Sequence, residues 1–213
     1  LFMMLVLSQT TFLMAGNIFV HYSAFAATRS AIVQIPTEYP DDPANTYTAS
    51  EGRTKHDLIW RSAVFAVAPV GGELETGDAS IGADAFVEGL REYYSAYNAN
   101  EPAWIENLAG DRLRYAADNT RITVMVPEIE PDDTVTYREL TSGSSHDFKA
   151  RDPITVAVAH RFALDVPYVN RIYSDGELPQ GGQYSLMTAR YTLTNEGVRD
   201  ELPPKPTVPR ADP

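Results

Sequence analysis

The chain has 213 residues and no cysteine, which excludes disulfide staples, zinc–thiolate sites, iron–sulfur clusters and thiol nucleophiles. With 29 acidic residues against 17 Lys and Arg, the net charge of −12 has the wrong sign for a nucleic-acid footprint or a polybasic lipid-binding surface. The length fits one ordinary domain plus an appendage, and the expected partners are neutral, cationic or copies of the chain itself.

Residues Leu1 to Thr28 include no Asp, Glu, Lys or Arg; Arg29 is the first charge and Pro36 the first proline. Nothing in this run stops a helix, and about 35 residues at about 1.5 Å each make a rod of about 52 Å, longer than the roughly 30 Å hydrocarbon core of a bilayer. A basic n-region is missing, so the sequence is read as beginning inside or just after a processed export signal. Thr10, Asn17, His21 and Thr28 fall near one face, and His21 is expected to make an interhelical hydrogen bond. Ser23 with Ala27, Ala24 with Thr28, and Ala27 with Ala31 are small-xxx-small pairs, the pattern that lets helix backbones approach closely. The helix is therefore expected to pack against other helices.

Residues 37–53, rich in Pro, Asp, Asn and Thr, follow neither period and read as a loop or stalk. Thr54, with Asp57 three residues on, has the pattern of a capping box, and a largely buried helix runs from it until Pro69. Helical spacing returns from about Ala83 to Tyr97, and again after Pro102 through Ile105, Leu108, Leu113 and Ala116. These helices are read as a layer covering a sheet. Tyr93, Tyr94, Tyr97 and Trp104 could form a carbohydrate or partner platform, but their spacing favours core packing.

At Arg121 the period changes to two, and strands are predicted over 121–126, 134–140, 154–166 and 184–194. The last fourteen residues carry five prolines and suit neither a helix nor a central strand. The fold class is α+β: a long N-terminal apolar α-helix, then a head whose antiparallel sheet is covered by two or three helices. The expected division is 1–36 for the membrane or filament-core helix, 37–53 for the loop or stalk, 54–199 for the head, and 200–213 for the proline-rich tail.

Chemistry is sparse. GxGxxG, GxxxxGK[ST] and GxSxG are all absent, and Gly143-Ser144-Ser145-His146 reads as a hairpin tip. His21, His56, His146 and His160 have no metal-ligand spacing; His160, on the apolar face of the strongest strand, is read as a core histidine satisfied by a neighbour. Glu128, Glu130, Asp132 and Asp133, with Asp41 and Asp42 upstream, offer oxygens that calcium would accept, but their order does not match an EF-hand loop and solvated surface is the competing reading. No cofactor and no catalytic residue is expected, and the chain is not read as an enzyme.

Two stretches carry a resemblance. One is the apolar helix running into Val20-His21-Tyr22-Ser23-Ala24-Phe25-Ala26-Ala27-Thr28-Arg29-Ser30-Ala31; the other is Val156-Ala157-Val158 through Val166-Pro167-Tyr168-Val169-Asn170-Arg171-Ile172, with a closing strand ending Thr194-Asn195-Glu196-Gly197. In both, the chain resembles the TadE/TadG-like pseudopilins of tight-adherence pilus systems. The resemblance implies export through a type IV pilus-related machine, residence in the inner membrane before assembly, and a homo-oligomeric helical filament on the bacterial cell surface, with a role in adhesion. Where type IV-type pilins usually carry a glutamate at the fifth position, this sequence has Leu5.

In that picture Phe2, Leu5, Leu7, Phe12, Phe19 and Phe25 supply buried area between subunits. Ala24, Ala27 and Ala31 permit close helix contact, and Arg29 pairs with an acidic residue of a neighbour. Two alternatives stand beside this one: a minor pseudopilin or assembly factor retained in the inner membrane, and a membrane-tethered periplasmic binding module or enzyme.

Overall fold

A computed structural model describes residues 1–74, 81–129, 135–149, 151–179 and 181–195. With no proline before Pro36, the N-terminal run forms one uninterrupted helix, α1 (Phe2–Gln34). After it come β1 (Thr46–Thr48), α2 (Thr54–Val67) and a 3-10 turn over Ala68–Val70. The helix α3 (Ala83–Ala96) is next, and a π-turn over Ile105–Ala109 leads into α4 (Gly110–Asn119). The strand-rich half comprises β2 (Thr120–Ile129), β3 (Val135–Glu139), β4 (Ser145–Asp147), β5 (Pro153–Leu164), the short α5 (Asn170–Tyr173), β6 (Gly176–Glu177) and β7 (Gln183–Thr194).

The five-stranded sheet has the order β3-β2-β5-β7-β6, and every pairing in it is antiparallel. Register aligns Val124 with Val156 and Tyr191, Ile122 with Val158 and Ala189, and Thr120 with His160 and Met187. Because side chains alternate across a strand, these rows share one face with Ile154 and Phe162. That face receives α1. A Cβ placed on Gly16 would lie 2.7 Å from the Phe162 ring and 3.2 Å from Met187 Cε, so glycine permits the close crossing. Further along, Phe25 meets Tyr191 edge-to-face at 5.1 Å, and the Thr28 hydroxyl donates to the Tyr191 carbonyl.

Beside α1 lies α2, close enough for Ser23 Oγ to donate to the Ala63 carbonyl at 2.9 Å. Ala24, Ala27 and Ala31 are completely buried in the core that α1 shares with α2 and the sheet. The small-residue stripe, expected to meet helices of other subunits, is therefore occupied within the chain. His21, expected in an interhelical hydrogen bond, is exposed; of the four polar residues read as one face, Thr28 is buried and Asn17 points to solvent.

Residues 37–53 are not a stalk. Lys55, fully buried, donates from its ammonium to the carbonyls of Ile35 at 2.8 Å, Pro43 at 2.6 Å and Thr46 at 2.7 Å, tying the end of α1, the loop and β1 to α2. β1 pairs antiparallel with β4, setting Tyr47 opposite His146, so Ser145 lies in a strand and not at a hairpin tip. The capping box also differs from expectation: α2 starts after Arg53, and the Thr54 N–H donates to Asp41 Oδ2 at 2.7 Å. Asp57 instead accepts from the Gly52 N–H at 3.1 Å. A carboxylate from the preceding loop thus satisfies a first-turn donor.

The sheet-covering layer is α1 with α2, which leaves α3 outside. It buries only Ala83 and is held by an ion pair from Asp84 to Arg114 of α4. Tyr93, Tyr97 and Trp104, expected in the core, are exposed because the apolar face of the sheet is already filled. Glu130, Asp132, Asp133 and the tail 200–213 lie outside the described residues; Glu128 is exposed and pairs with Arg138 at 3.5 Å. Among the described residues no cluster of three or more metal-binding side chains occurs.

Candidate assembly face

Polar residues of α1 lie both on its buried side, as Gln9 and Thr28, and on its exposed side, as Thr11, Asn17, His21 and Arg29, so composition does not distinguish one side from the other. Its seating on the sheet does. Gln9, Gly16, Val20, Ser23, Ala24, Ala27, Thr28 and Ala31 are buried. Polar groups fix the register: Gln9 Oε1 accepts the Val166 N–H at 3.3 Å, and Thr10 Oγ1 shares a hydrogen bond with the Tyr173 hydroxyl at 3.1 Å. The head therefore grips α1 from Gln9 to its C-terminal end, and Leu1–Met4 at the other end are exposed.

At about 100° per residue, the side opposite the buried set carries Met4, Leu7, Met14, Ile18 and Tyr22. These five are 59–71% exposed. From Met4 to Tyr22 the stripe runs about 27 Å along the helix axis. It exposes on the order of 500 Å² of apolar side chain, as much as the largest patch of an ordinary monomer, and such patches mark interaction sites. Among the described residues one side of α1 is taken by the head and the other is exposed.

The residues named from the sequence divide between these two sides. Phe2, Leu7 and Phe12 are exposed, as is Arg29 at the far end of the outward side. Leu5 is half-buried, Phe19 packs on the core, and Phe25 leans on Tyr191. Ala24, Ala27 and Ala31 face inward. Met4, Met14, Ile18 and Tyr22 were not singled out from the sequence, although the four-residue spacing of Met14, Ile18 and Tyr22 is visible once the inward face is known.

The helix is also long and apolar enough to cross a membrane. A span of about 20 residues counted from Leu1 would end near Val20. The head already buries Gln9, Gly16 and Val20, so membrane insertion and full docking of the head draw on the same residues.

One concavity stands apart from this face, a groove of about 1050 Å³ lined by Tyr47, His56, Trp60, Thr120 and Thr123 among others. Tyr47 and His56 share a hydrogen bond of 2.8 Å, and Trp60 Nε1 donates to the Thr120 carbonyl at 3.1 Å. Burial pushes the His56 pKa down and the Tyr47 pKa up, keeping both neutral near pH 7, as befits a pair that closes the α2–β1 joint. Comparison of the chain with family models, with curated proteins and with solved structures found no match.

Proposed function

We propose that the protein is a pilin-like structural subunit of an extracellular filament, with α1 helices bundled in the core and acidic heads outside. The observation that carries this reading is the outward apolar stripe Met4–Leu7–Met14–Ile18–Tyr22, interrupted by exposed Thr11, on a helix whose opposite side is already buried by its own head. Such a helix brings its head with it, so within the filament core neighbours meet through the stripe. At about 25 cal/mol/Å², about 500 Å² of apolar surface supplies about 12 kcal/mol per helix before the costs of association are subtracted. Arg29 follows the stripe at the level of the head, where a carboxylate of a neighbour can reach it.

Before assembly the same apolar length would lie in the inner membrane. In that state residues near Gln9 and Gly16 leave the sheet, and extraction into the filament returns them to it. Negative-stain electron microscopy of material sheared from the cell surface, with mass spectrometry of its protein, tests the reading. Filaments made chiefly of this chain, and absent for Ile18→Glu, are expected. Detection of the chain only in membranes would sink the filament reading and favour the retained minor pseudopilin.

A further inference from the structure

The five-stranded sheet has a second face, opposite α1. On it Arg121 of β2 stands beside Ala159 of β5 and Thr188 of β7, and Thr123 beside Ala157 and Arg190. Arg161 follows Ala159 on the same side of β5, its guanidinium 5.4 Å from the centroid of the Tyr184 ring. Arg121 and Arg190 are exposed, whereas Ala157 and Ala159 are half-buried, and Arg121, Thr123 and Arg161 also line the groove that holds Glu51, Asp57 and Asp118. On a chain of net charge −12 this is an unusual concentration of positive charge. Among the described residues neither Arg121 nor Arg190 has a carboxylate within ion-pair distance. The acidic residue of this face in the described strands is Glu139, at the β3 edge opposite Met125. From strand spacing and rise, Arg121 lies about 8 Å from Arg161 and about 12 Å from Arg190, measured between Cα atoms.

We infer that this arginine face seats the acidic side of α3 from a second copy of the chain. The inference rests on the filament reading and supplies it with a second contact. Asp84, Glu88 and Glu92 recur every four residues on α3, so their carboxylates form one stripe with steps of about 6 Å and a length of about 12 Å. All three are exposed, and α3 buries only Ala83 within its own chain. Asp84 is engaged by Arg114, and Glu88 sits 3.9 Å from Arg91 at the surface, leaving Glu92 and Glu88 as the principal partners. A helix laid on an open sheet is an ordinary layer arrangement, and alanines in the central strand give it room.

The two surfaces differ and lie on separate elements, so the contact is head-to-tail. Repeated, it builds a ring or an open helix rather than a closed dimer. Its direction agrees with the α1 bundle: apolar helices hold the core, and charge sets the rotation and rise between heads. Electrostatic complementarity of this kind contributes register and partner choice more than raw affinity.

Charge reversal and its reciprocal in the full-length chain test the contact. Arg121→Glu with Arg190→Glu is expected to reduce filament yield at least tenfold without changing the thermal midpoint of the head. Glu88→Arg with Glu92→Arg should do the same, and combining all four substitutions should restore filaments. Full yield from either pair, or no recovery in the combination, overturns the inference. If the wild type makes no filaments, sedimentation of detergent-solubilised protein separates the two readings. Self-association that weakens between about 50 and 500 mM salt and follows the same loss and recovery would keep the interface and discard the filament. Salt-insensitive association discards the interface. An arginine face that binds an acidic polysaccharide such as alginate, while the reversals leave self-association intact, assigns the face to a glycan and also defeats the inference.

Discussion

Thr120 and His160 face each other across β2 and β5 in the core, Thr120 Oγ1 2.9 Å from His160 Nδ1, with His160 completely buried and its Nε2 without a hydrogen-bond partner among the described residues. The sequence reading of a core histidine satisfied by a neighbour holds for one ring nitrogen only. A neutral imidazole tolerates this, whereas an imidazolium would bury a charge with a donor unpaired.

Burial therefore pushes the His160 pKa from 6.5 down to about 4, opposed weakly by a main-chain contact from Asn119. In the unfolded chain the same group takes a proton near pH 6.5. The unfolded state thus binds more protons across the interval from about 6.5 to about 4, and this contribution to stability is complete above it and lost as pH falls through it. The loss approaches a magnitude on the order of 3 kcal/mol at the acid end. Thermal melts between pH 7 and 4 should show the decline, and His160→Gln should flatten it; an equally steep decline in the variant would remove His160 as its cause.

Ala27→Leu and Ile18→Glu should separate folding from assembly. Ala27 is fully buried inside the chain, so leucine there overpacks the joint of α1, α2 and the sheet and should cost about 1–3 kcal/mol of stability. Ile18 is 68% exposed on the outward stripe, and a glutamate there should leave the melting midpoint of the head within about 0.5 kcal/mol of wild type while abolishing filaments. Equal melting of the two variants would mean that the assignment of faces on α1 is wrong.

Gly16→Leu should loosen the N-terminal half of α1 from the sheet. Even a Cβ there would stand 2.7 Å from the buried Phe162 ring, and helix propensity gains of about 1 kcal/mol do not offset a whole leucine driven into it. Hydrogen exchange should quicken at Val166, whose N–H bonds to Gln9. Unchanged protection there would contradict the seating of α1.

Lys55→Met should be among the most destabilising single changes, by about 3–5 kcal/mol. It leaves the carbonyls of Ile35, Pro43 and Thr46 without their shared donor in a buried position. Denaturant unfolding checks it. A loss below about 1 kcal/mol would show that water replaces the ammonium at little cost.

Periodicity carried the positions of α2, α3, α4, β2, β3, β5 and β7, because each of those segments has to present one apolar side and its spacing records which geometry does so. The short pairing of β1 with β4 left no such record: Thr46–Thr48 and Ser145–Asp147 are polar and held by long-range backbone bonds. Asp41 as the cap of α2, and Lys55 as the tie between three carbonyls, were likewise out of reach, since both depend on a loop folding back over segments distant in sequence.

The sequence by itself determined a long apolar helix with no charge before Arg29, an antiparallel α+β head and a strongly acidic chain without cysteine, because length, period and charge are local or additive properties. Only the tertiary structure decided which side of α1 meets its own head and which stays exposed, because a helix with apolar residues on every side has no preferred side until a sheet of given shape, with Phe162 opposite Gly16 and Tyr191 opposite Phe25, is set against it. It likewise decided that Arg121, Arg161 and Arg190 share one face of the sheet, opposite α1, since strand register, not spacing along the chain, brings them together.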